Sequence, residues 1–116
     1  MFISTKPEEV TFLGNTTKTN HWTRLITTVL DGCYHFNQQL FAKLPNYCFL
    51  SNKKYFDTNK ANLRDPIRIG NSPMYVDIGK SDVFVDLRLL TKVLELYDSK
   101  LQTHLVSGVN FKLSKV

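Results

Sequence analysis

Two segments of the chain place their apolar residues at the spacing of an amphipathic helix. Near residues 21–31 the apolar positions are Trp22, Leu25, Ile26, Val29 and Leu30. Near residues 87–97 the same spacing recurs with Leu89, Leu90, Val93, Leu94 and Tyr97. The first stripe has to be buried against another element, because its helix is rich in threonine and has little helical preference of its own.

Short polar residues and a glycine predict where these two helices begin and end. Asn20 is a candidate N-cap for the first helix, and Gly32 a candidate C-terminal cap. Asp86 is the corresponding N-cap candidate for the second helix. These assignments limit both helices to about three turns.

Alternation of apolar and polar residues predicts strands between and around the helices. Strands are expected at residues 9–13, 46–50 and 67–69. Residues 34–44 have a mixed pattern that fits a strand or a helix, and a strand is expected there too. The polar stretch 51–66 is expected to be a long loop.

Two hairpins are predicted from turn residues that separate short apolar runs. Residues 79–82 form the first turn and connect a strand at Met74–Ile78 to a strand at Val83–Asp86. This register places Asp77 and Asp86 on the same face of the sheet. The second hairpin joins residues 103–106 to residues 109–113 through Ser107 and Gly108.

These elements predict one α+β domain spanning residues 1–116, with two helices packed on one face of an antiparallel or mixed sheet. The segments Arg24–Asp31 and Arg88–Glu95 share five of their eight residues at an offset of 64 positions. A strand is predicted before each helix and further strands after it. The two halves are therefore candidates for a duplicated β-α-β-β unit.

The strand–helix–strands order, occurring twice over most of the chain, resembles the duplicated pattern of DNA sliding-clamp domains. The resemblance implies that outward basic helix residues, here Arg24, Arg88 and Lys92, face DNA. It also implies a ring of several copies, because one such domain is too small to encircle a duplex. Asp31 and Glu95 lie on the same helices and oppose this function.

The composition is that of a folded, basic domain. Of the 116 residues, 42% are hydrophobic and 22% are charged, with a net charge of +5. The sequence shows no apolar leader and no run of eighteen apolar residues, which favours a cytoplasmic protein that does not enter the membrane. The abundance of Lys, Asn, Phe and Tyr is typical of AT-rich genomes, including those of many phages.

One segment combines basic and aromatic residues as nucleic-acid-binding surfaces do. Residues 53–68 contain five basic residues and two acidic ones. The candidate nucleic-acid-binding residues are Lys53, Lys54, Tyr55, Lys60, Arg64 and Arg68. The basic side chains would neutralise phosphates, and Tyr55 or Phe56 would stack on an unpaired base. The alternative is a solvated loop whose aromatic residues anchor it to the core.

Two metal sites are weighed as well. Asp77 and Asp86 on one sheet face would suit a divalent ion in a metal-dependent nuclease. A second group of potential zinc ligands consists of His21, Cys33, His35 and Cys48, although its spacing is unlike that of structural zinc sites. No glycine-rich phosphate loop or nucleophile motif occurs, and no cofactor is predicted.

The sequence therefore predicts a small non-enzymatic binding module that associates with nucleic acid through its basic, aromatic-containing central segment. One alternative is a protein-interaction or inhibitor module of phage or viral type, including an oligomeric subunit like that of a sliding clamp. The other is the metal-dependent nuclease that uses Asp77 and Asp86.

Overall fold

The computed structural model describes residues 5–12, 14–80, 82–101 and 109–115. In chain order the elements are β1 (Thr5–Phe12), β2 (Asn15–Lys18), α1 (Trp22–Phe36), α2 (Gln38–Phe41), β3 (Phe56–Asp57), β4 (Pro66–Arg68), β5 (Tyr75–Asp77), α3 (Val83–Leu101) and β6 (Val109–Lys115). Short 3₁₀ turns lie at Leu44–Asn46 and Lys60–Asn62. The predicted α+β class with antiparallel strand pairing is confirmed.

The strands form two antiparallel sheets of three strands each. The first has the order β2-β1-β6 and the second the order β3-β5-β4. β1 and β6 pair from Thr5 opposite Lys115 to Phe12 opposite Val109, with a register shift between Pro7 and Glu9. The strand predicted at residues 109–113 is thus confirmed, whereas its predicted partner at 103–106 lies outside the described residues.

Helix α1 buries the predicted stripe but extends beyond its predicted end. Leu25, Ile26, Val29 and Leu30 are buried, and Cys33 continues the stripe by one more turn. Gly32, the predicted end of the helix, instead lies within it. A glycine is needed at this position because a Cβ atom there would collide with the ring of Phe12. The predicted Asn20 cap is also wrong, since His21 occupies the N-cap position and makes no side-chain capping bond.

The strand expected at 34–44 is wrong and its helical alternative is right, since α1 runs to Phe36 and α2 spans Gln38–Phe41. Residues 46–50 form no strand either, because the chain is irregular after the 3₁₀ turn at Leu44–Asn46. The side-chain Oδ1 of Asn37 accepts a hydrogen bond from the Leu40 amide at 3.0 Å and begins α2. Leu40, Phe41 and Leu44 are buried at helical spacing. In so short a segment, that spacing is hard to distinguish from the alternation of a strand.

The hairpin predicted at residues 74–86 is also wrong. The described neighbours of β5 are β3 and β4, and helix α3 begins at Val83. The Val85 amide donates to Asp82 Oδ1 at 2.9 Å, so Asp82 caps the helix in place of the predicted Asp86. Val83 and Val85 favour a strand locally, but the cap and the packing of α3 override that preference.

The duplication hypothesis relied on a strand at Val83–Asp86 before the second helix, and these residues instead form the first turn of α3. A strand still precedes each helix, β2 before α1 and β5 before α3, but these two strands belong to different sheets. The described strand after α3 is β6, which pairs with β1, whereas the strands after α1 form the other sheet. Helix α1 packs against β1, α2 and α3. The described chain therefore does not repeat a strand–helix–strands unit, and the resemblance to sliding-clamp domains has no support in the topology.

One cluster of buried residues joins both sheets to the helices. It includes Val10 and Phe12 of β1, Phe56 of β3, Val76 of β5, and Leu89, Leu90, Val93 and Tyr97 of α3. None of the helices in the described part of the chain has the length and apolar character that a membrane crossing requires.

Candidate nucleic-acid interface

The central basic segment is more ordered than the predicted loop. It contributes β3 and β4, which flank β5 on either side, and a 3₁₀ turn between them. The side chains of Tyr55 and Phe56 are 7% and 0% exposed. The prediction that Tyr55 or Phe56 stacks on a base is therefore wrong, because these rings form part of the core.

Asp77, at the end of β5, holds this segment together through three donors. The Asp65 amide donates to Asp77 Oδ1 at 2.9 Å, and the Arg64 amide donates to Oδ2 at 3.3 Å. The Lys53 ammonium lies 3.3 Å from Oδ2. Burial raises the pKa of Asp77, but the hydrogen bonds from the Asp65 and Arg64 amides and from Lys53, together with the positive charge of Lys53, hold that pKa below its ordinary value.

The residues around Asp77 line an open cleft of about 460 Å³. Its walls are formed by Lys53, Arg64, Asp65, Asp77 and Lys80. The side chain of Asp77 is only 5% exposed, whereas those of Lys53 and Lys80 are 43% and 83% exposed. Solvent therefore meets mainly cationic groups at this cleft.

Two contacts bring Lys80 to the same cleft. The Gly79 amide donates to the carbonyl oxygen of Asp65 at 2.9 Å. The Lys80 ammonium lies 3.8 Å from Asp65 Oδ1. Lys53, Arg64 and Lys80, which are far apart in sequence, thus converge on one surface.

The other predicted binding residues do not line the cleft. Lys54 donates to Asp57 Oδ2 at 3.0 Å, and Arg68 Nε donates to the carbonyl oxygen of Ser72 at 3.1 Å. Lys60 is exposed in the 3₁₀ turn. Of the six predicted residues, only Lys53 and Arg64 line the cleft.

Asp57 fixes the turn that carries Lys60. Its carboxylate accepts hydrogen bonds from the Asn59 amide at 2.8 Å and from the Asn62 side chain at 3.1 Å, besides the Lys54 bond. The Asn59 amide is the main cause that lowers the pKa of Asp57 to about 2, with Lys54 and Asn62 contributing further. Lys54 is therefore committed to a structural ion pair.

Lys80 and Asp65 were missed from the sequence. The predicted hairpin placed Lys80 at the tip of a turn, and nothing in the local pattern linked that turn to residues 64 and 65. The available signal was the pair Gly79-Lys80 directly after an apolar strand, since a glycine there permits close approach of another segment.

The two metal sites considered as alternatives are not formed by the described residues. The hairpin that would have aligned Asp77 with Asp86 is absent, and Asp86 is buried in the first turn of α3. Cys33 faces the core, where burial raises the pKa of its thiol to about 12, while His35 and Cys48 are exposed. The described residues contain no group of three His, Cys, Asp or Glu side chains able to hold a metal ion.

The basic helix residues that the sliding-clamp resemblance pointed to lie outside the cleft. Arg24 and Arg88 are exposed, and the Lys92 ammonium lies 3.7 Å from Glu95 Oε1 on the same helix. No known protein family, curated protein or solved structure matches this chain. Any functional proposal must therefore be argued from the site itself.

Proposed function

We propose that the protein is a non-enzymatic module that binds nucleic acid through the sugar–phosphate backbone, at the cleft formed by Lys53, Arg64 and Lys80. One observation carries the proposal: three cationic side chains from separate parts of the sequence line the same open cleft. Lys53 and Lys80 also pair with the carboxylates of Asp77 and Asp65, yet their side chains remain 43% and 83% exposed to solvent.

Arg64 is the strongest single candidate for a phosphate contact. Its backbone amide is used by Asp77, but no carboxylate in the described residues lies within ion-pairing distance of its guanidinium group. A guanidinium group offers a planar fork of N–H donors that fits two phosphate oxygens. Lys53 and Lys80 would add two point charges beside it.

The burial of Tyr55 and Phe56 affects how strongly binding should depend on salt and on base sequence. With these rings in the core, the segment offers charge without its predicted stacking platform. Contacts to phosphates fix position but carry no direct sequence information. Binding is therefore expected to depend on salt and to vary little with base sequence.

The test is a titration of labelled single-stranded and duplex oligonucleotides followed by fluorescence anisotropy across a salt series. The test variant is K53Q/R64Q/K80Q, which removes the three cleft cations. The matched control is K6Q/K18Q/K43Q, which removes three exposed lysines that do not line the cleft. Both variants lower the net charge by three, so a general charge effect would weaken both equally.

We expect the test variant to bind at least tenfold more weakly than the control at low salt. Three phosphate contacts correspond to a slope of log K against log salt of about −2.7 for duplex DNA, and the test variant should lose most of that slope. Equal binding by the two variants would reject the cleft as the site. No binding by the parent protein at low salt would reject the function.

A second candidate function is protein binding through the outer face of α3. Phe84 is 40% exposed there and lines a shallow groove with Leu87, Arg88 and Glu95. Exposed aromatic and arginine residues are common anchors of protein interfaces. Native mass spectrometry of the parent and of F84S tests self-association through this face: a dimer lost in F84S supports it, and a monomer in both excludes it.

A further inference from the structure

Asp31, on the third turn of α1, has a carboxylate oxygen that lacks a hydrogen-bond donor. Its Oδ1 atom is buried and has no hydrogen-bond partner in the described residues. His35 Nε2, one turn further along the helix, lies 3.6 Å from this same oxygen. The side chain as a whole is 29% exposed, so the carboxyl group is only partly shielded.

This carboxylate lines a pocket of about 460 Å³, distinct in its residues from the cleft described above. Besides Asp31, Gly32 and His35, the lining consists of Phe12, Phe36, Asn15, Thr17 and Thr28. It combines two aromatic rings and three neutral polar side chains with one carboxylate. No lysine or arginine is among these lining residues, although the chain carries a net charge of +5.

Two close approaches build the pocket. Phe12 of β1 packs over Gly32, which brings the β1–β2 hairpin, with Asn15 and Thr17, against α1. Asp31 lies against Gly70, which has φ +51°, in the turn between β4 and β5. Contacts on both sides therefore fix the position of the carboxylate before any ligand arrives.

We propose that this pocket binds a small organic cation, such as an amidinium or a primary ammonium attached to an apolar body. The N–H groups of the cation pair with the Asp31 carboxylate in charge-assisted hydrogen bonds. Its apolar body lies against Phe12 and Phe36, whose ring faces also attract positive charge. Thr17, Thr28 and Asn15 offer further acceptors at the rim.

The chemistry of the pocket selects against the ligand proposed for the cleft. A phosphate would face the Asp31 carboxylate with no lysine or arginine in the lining to offset the repulsion. The two sites are therefore expected to take ligands of opposite charge, and this proposal does not depend on the nucleic-acid function.

The experiment compares two probes of nearly identical shape on the full-length protein. Benzamidine carries an amidinium group and benzamide carries a neutral amide, so the pair isolates the role of charge. Binding is followed by two-dimensional NMR, with the amide signals of Thr28, Asp31 and Gly32 as local reporters. The test variant is D31N, and the matched control is E95Q, which removes an exposed carboxylate on α3.

We expect benzamidine to shift the reporter signals in the parent and in E95Q, and to bind about tenfold or more weakly in D31N. Benzamide should bind the parent about tenfold or more weakly than benzamidine. The spectrum of D31N without ligand reports whether that variant is folded. Equal binding of the two probes, or unchanged benzamidine binding by a folded D31N, would overturn the proposal.

Discussion

The cleft around Asp77 and the pocket around Asp31 use the same functional group in opposite ways. Asp77 receives two backbone amides and a lysine, so each of its oxygens has a donor. Asp31 has an oxygen that is buried without any. Asp77 therefore organises the chain around it, whereas the buried oxygen of Asp31 has no donor and the exposed part of its side chain lines a pocket.

The difference lies in what approaches each side chain. At Asp77 the segment at residues 64 and 65 turns its amides toward the carboxylate, and those bonds offset the cost of removing a charge from water. At Asp31 the approaching chain is Gly70, which contacts the carboxylate without donating a hydrogen bond to the buried oxygen. Burial alone therefore does not distinguish a structural carboxylate from one available to a ligand, whereas the number of donors does.

The largest effect is expected from replacing the Asp77 carboxylate with its amide, with the same replacement at Asp31 as the comparison. D77N leaves backbone donors facing an NH₂ group and leaves Lys53 without its counter-ion, and should lower the free energy of unfolding by about 2–4 kcal/mol. D31N removes no hydrogen bond from Oδ1, and should change that free energy by no more than about 0.5 kcal/mol. Urea denaturation of both variants measures the difference.

A result in which D31N destabilises the protein as much as D77N would contradict the comparison, because it would mean that Asp31 has an essential structural partner. E95Q is the control for removing an exposed negative charge, since Glu95 is 62% exposed on α3. We expect its stability to match that of the parent.

A smaller effect is expected at the glycine that approaches Asp31. G70A places a Cβ atom on a residue with φ +51° and in collision with the Asp31 carboxylate, and should cost about 1–3 kcal/mol. In the double variant D31A/G70A the collision is removed and only the backbone strain remains. Urea denaturation of the four proteins of this cycle gives the coupling between the two positions, and zero coupling would contradict the close contact.

The smallest effect is expected from acid. The pKa of Asp77 and that of Asp57 are both lowered in the folded protein, so their stabilising contribution is present above the pKa of about 3.9 of an unfolded aspartate. It is lost as the pH falls through the folded values, which for Asp57 extends to about 2. The free energy of unfolding should therefore fall between about pH 4 and pH 2.

The variant D57N checks the assignment of this acid response. Because the amide does not titrate, the dependence of stability on pH below about 4 should be shallower in D57N than in the parent. Urea denaturation at several pH values measures that slope. An unchanged slope would mean that other carboxylates account for the loss of stability in acid.

The sequence predicted those elements whose apolar residues follow a single periodicity. The stripe of α1, the strand β4 at Pro66–Arg68 and the strand β6 at Val109–Lys115 are examples, because each shows one clear pattern of apolar residues. The start of α3 was missed because Val83 and Val85 favour a strand, and only the cap at Asp82 reveals the helix. The segment after residue 34 was missed because its short apolar runs fit either period.

The candidate cleft was only half accessible to sequence reasoning. Lys53 and Arg64 lie in a visibly basic segment, so their charge was enough to select them. Lys80 reaches the same cleft through the hydrogen bond between Gly79 and Asp65, which no local pattern encodes. The burial of Tyr55 agrees with the alternative that the aromatic residues anchor this segment to the core. The sequence could not decide between the two, since the environment of Tyr55 is created by residues distant in sequence.

The pairing of β1 with β6 has a consequence for how the chain folds. The second sheet is built entirely within residues 56–77, so its strands have only short loops to close. The first sheet needs Thr5 beside Lys115, and closing so long a loop costs more chain entropy. The two sheets thus differ widely in contact order. We expect the pairing of β1 with β6 to be the late step of folding, since it is limited by chain entropy.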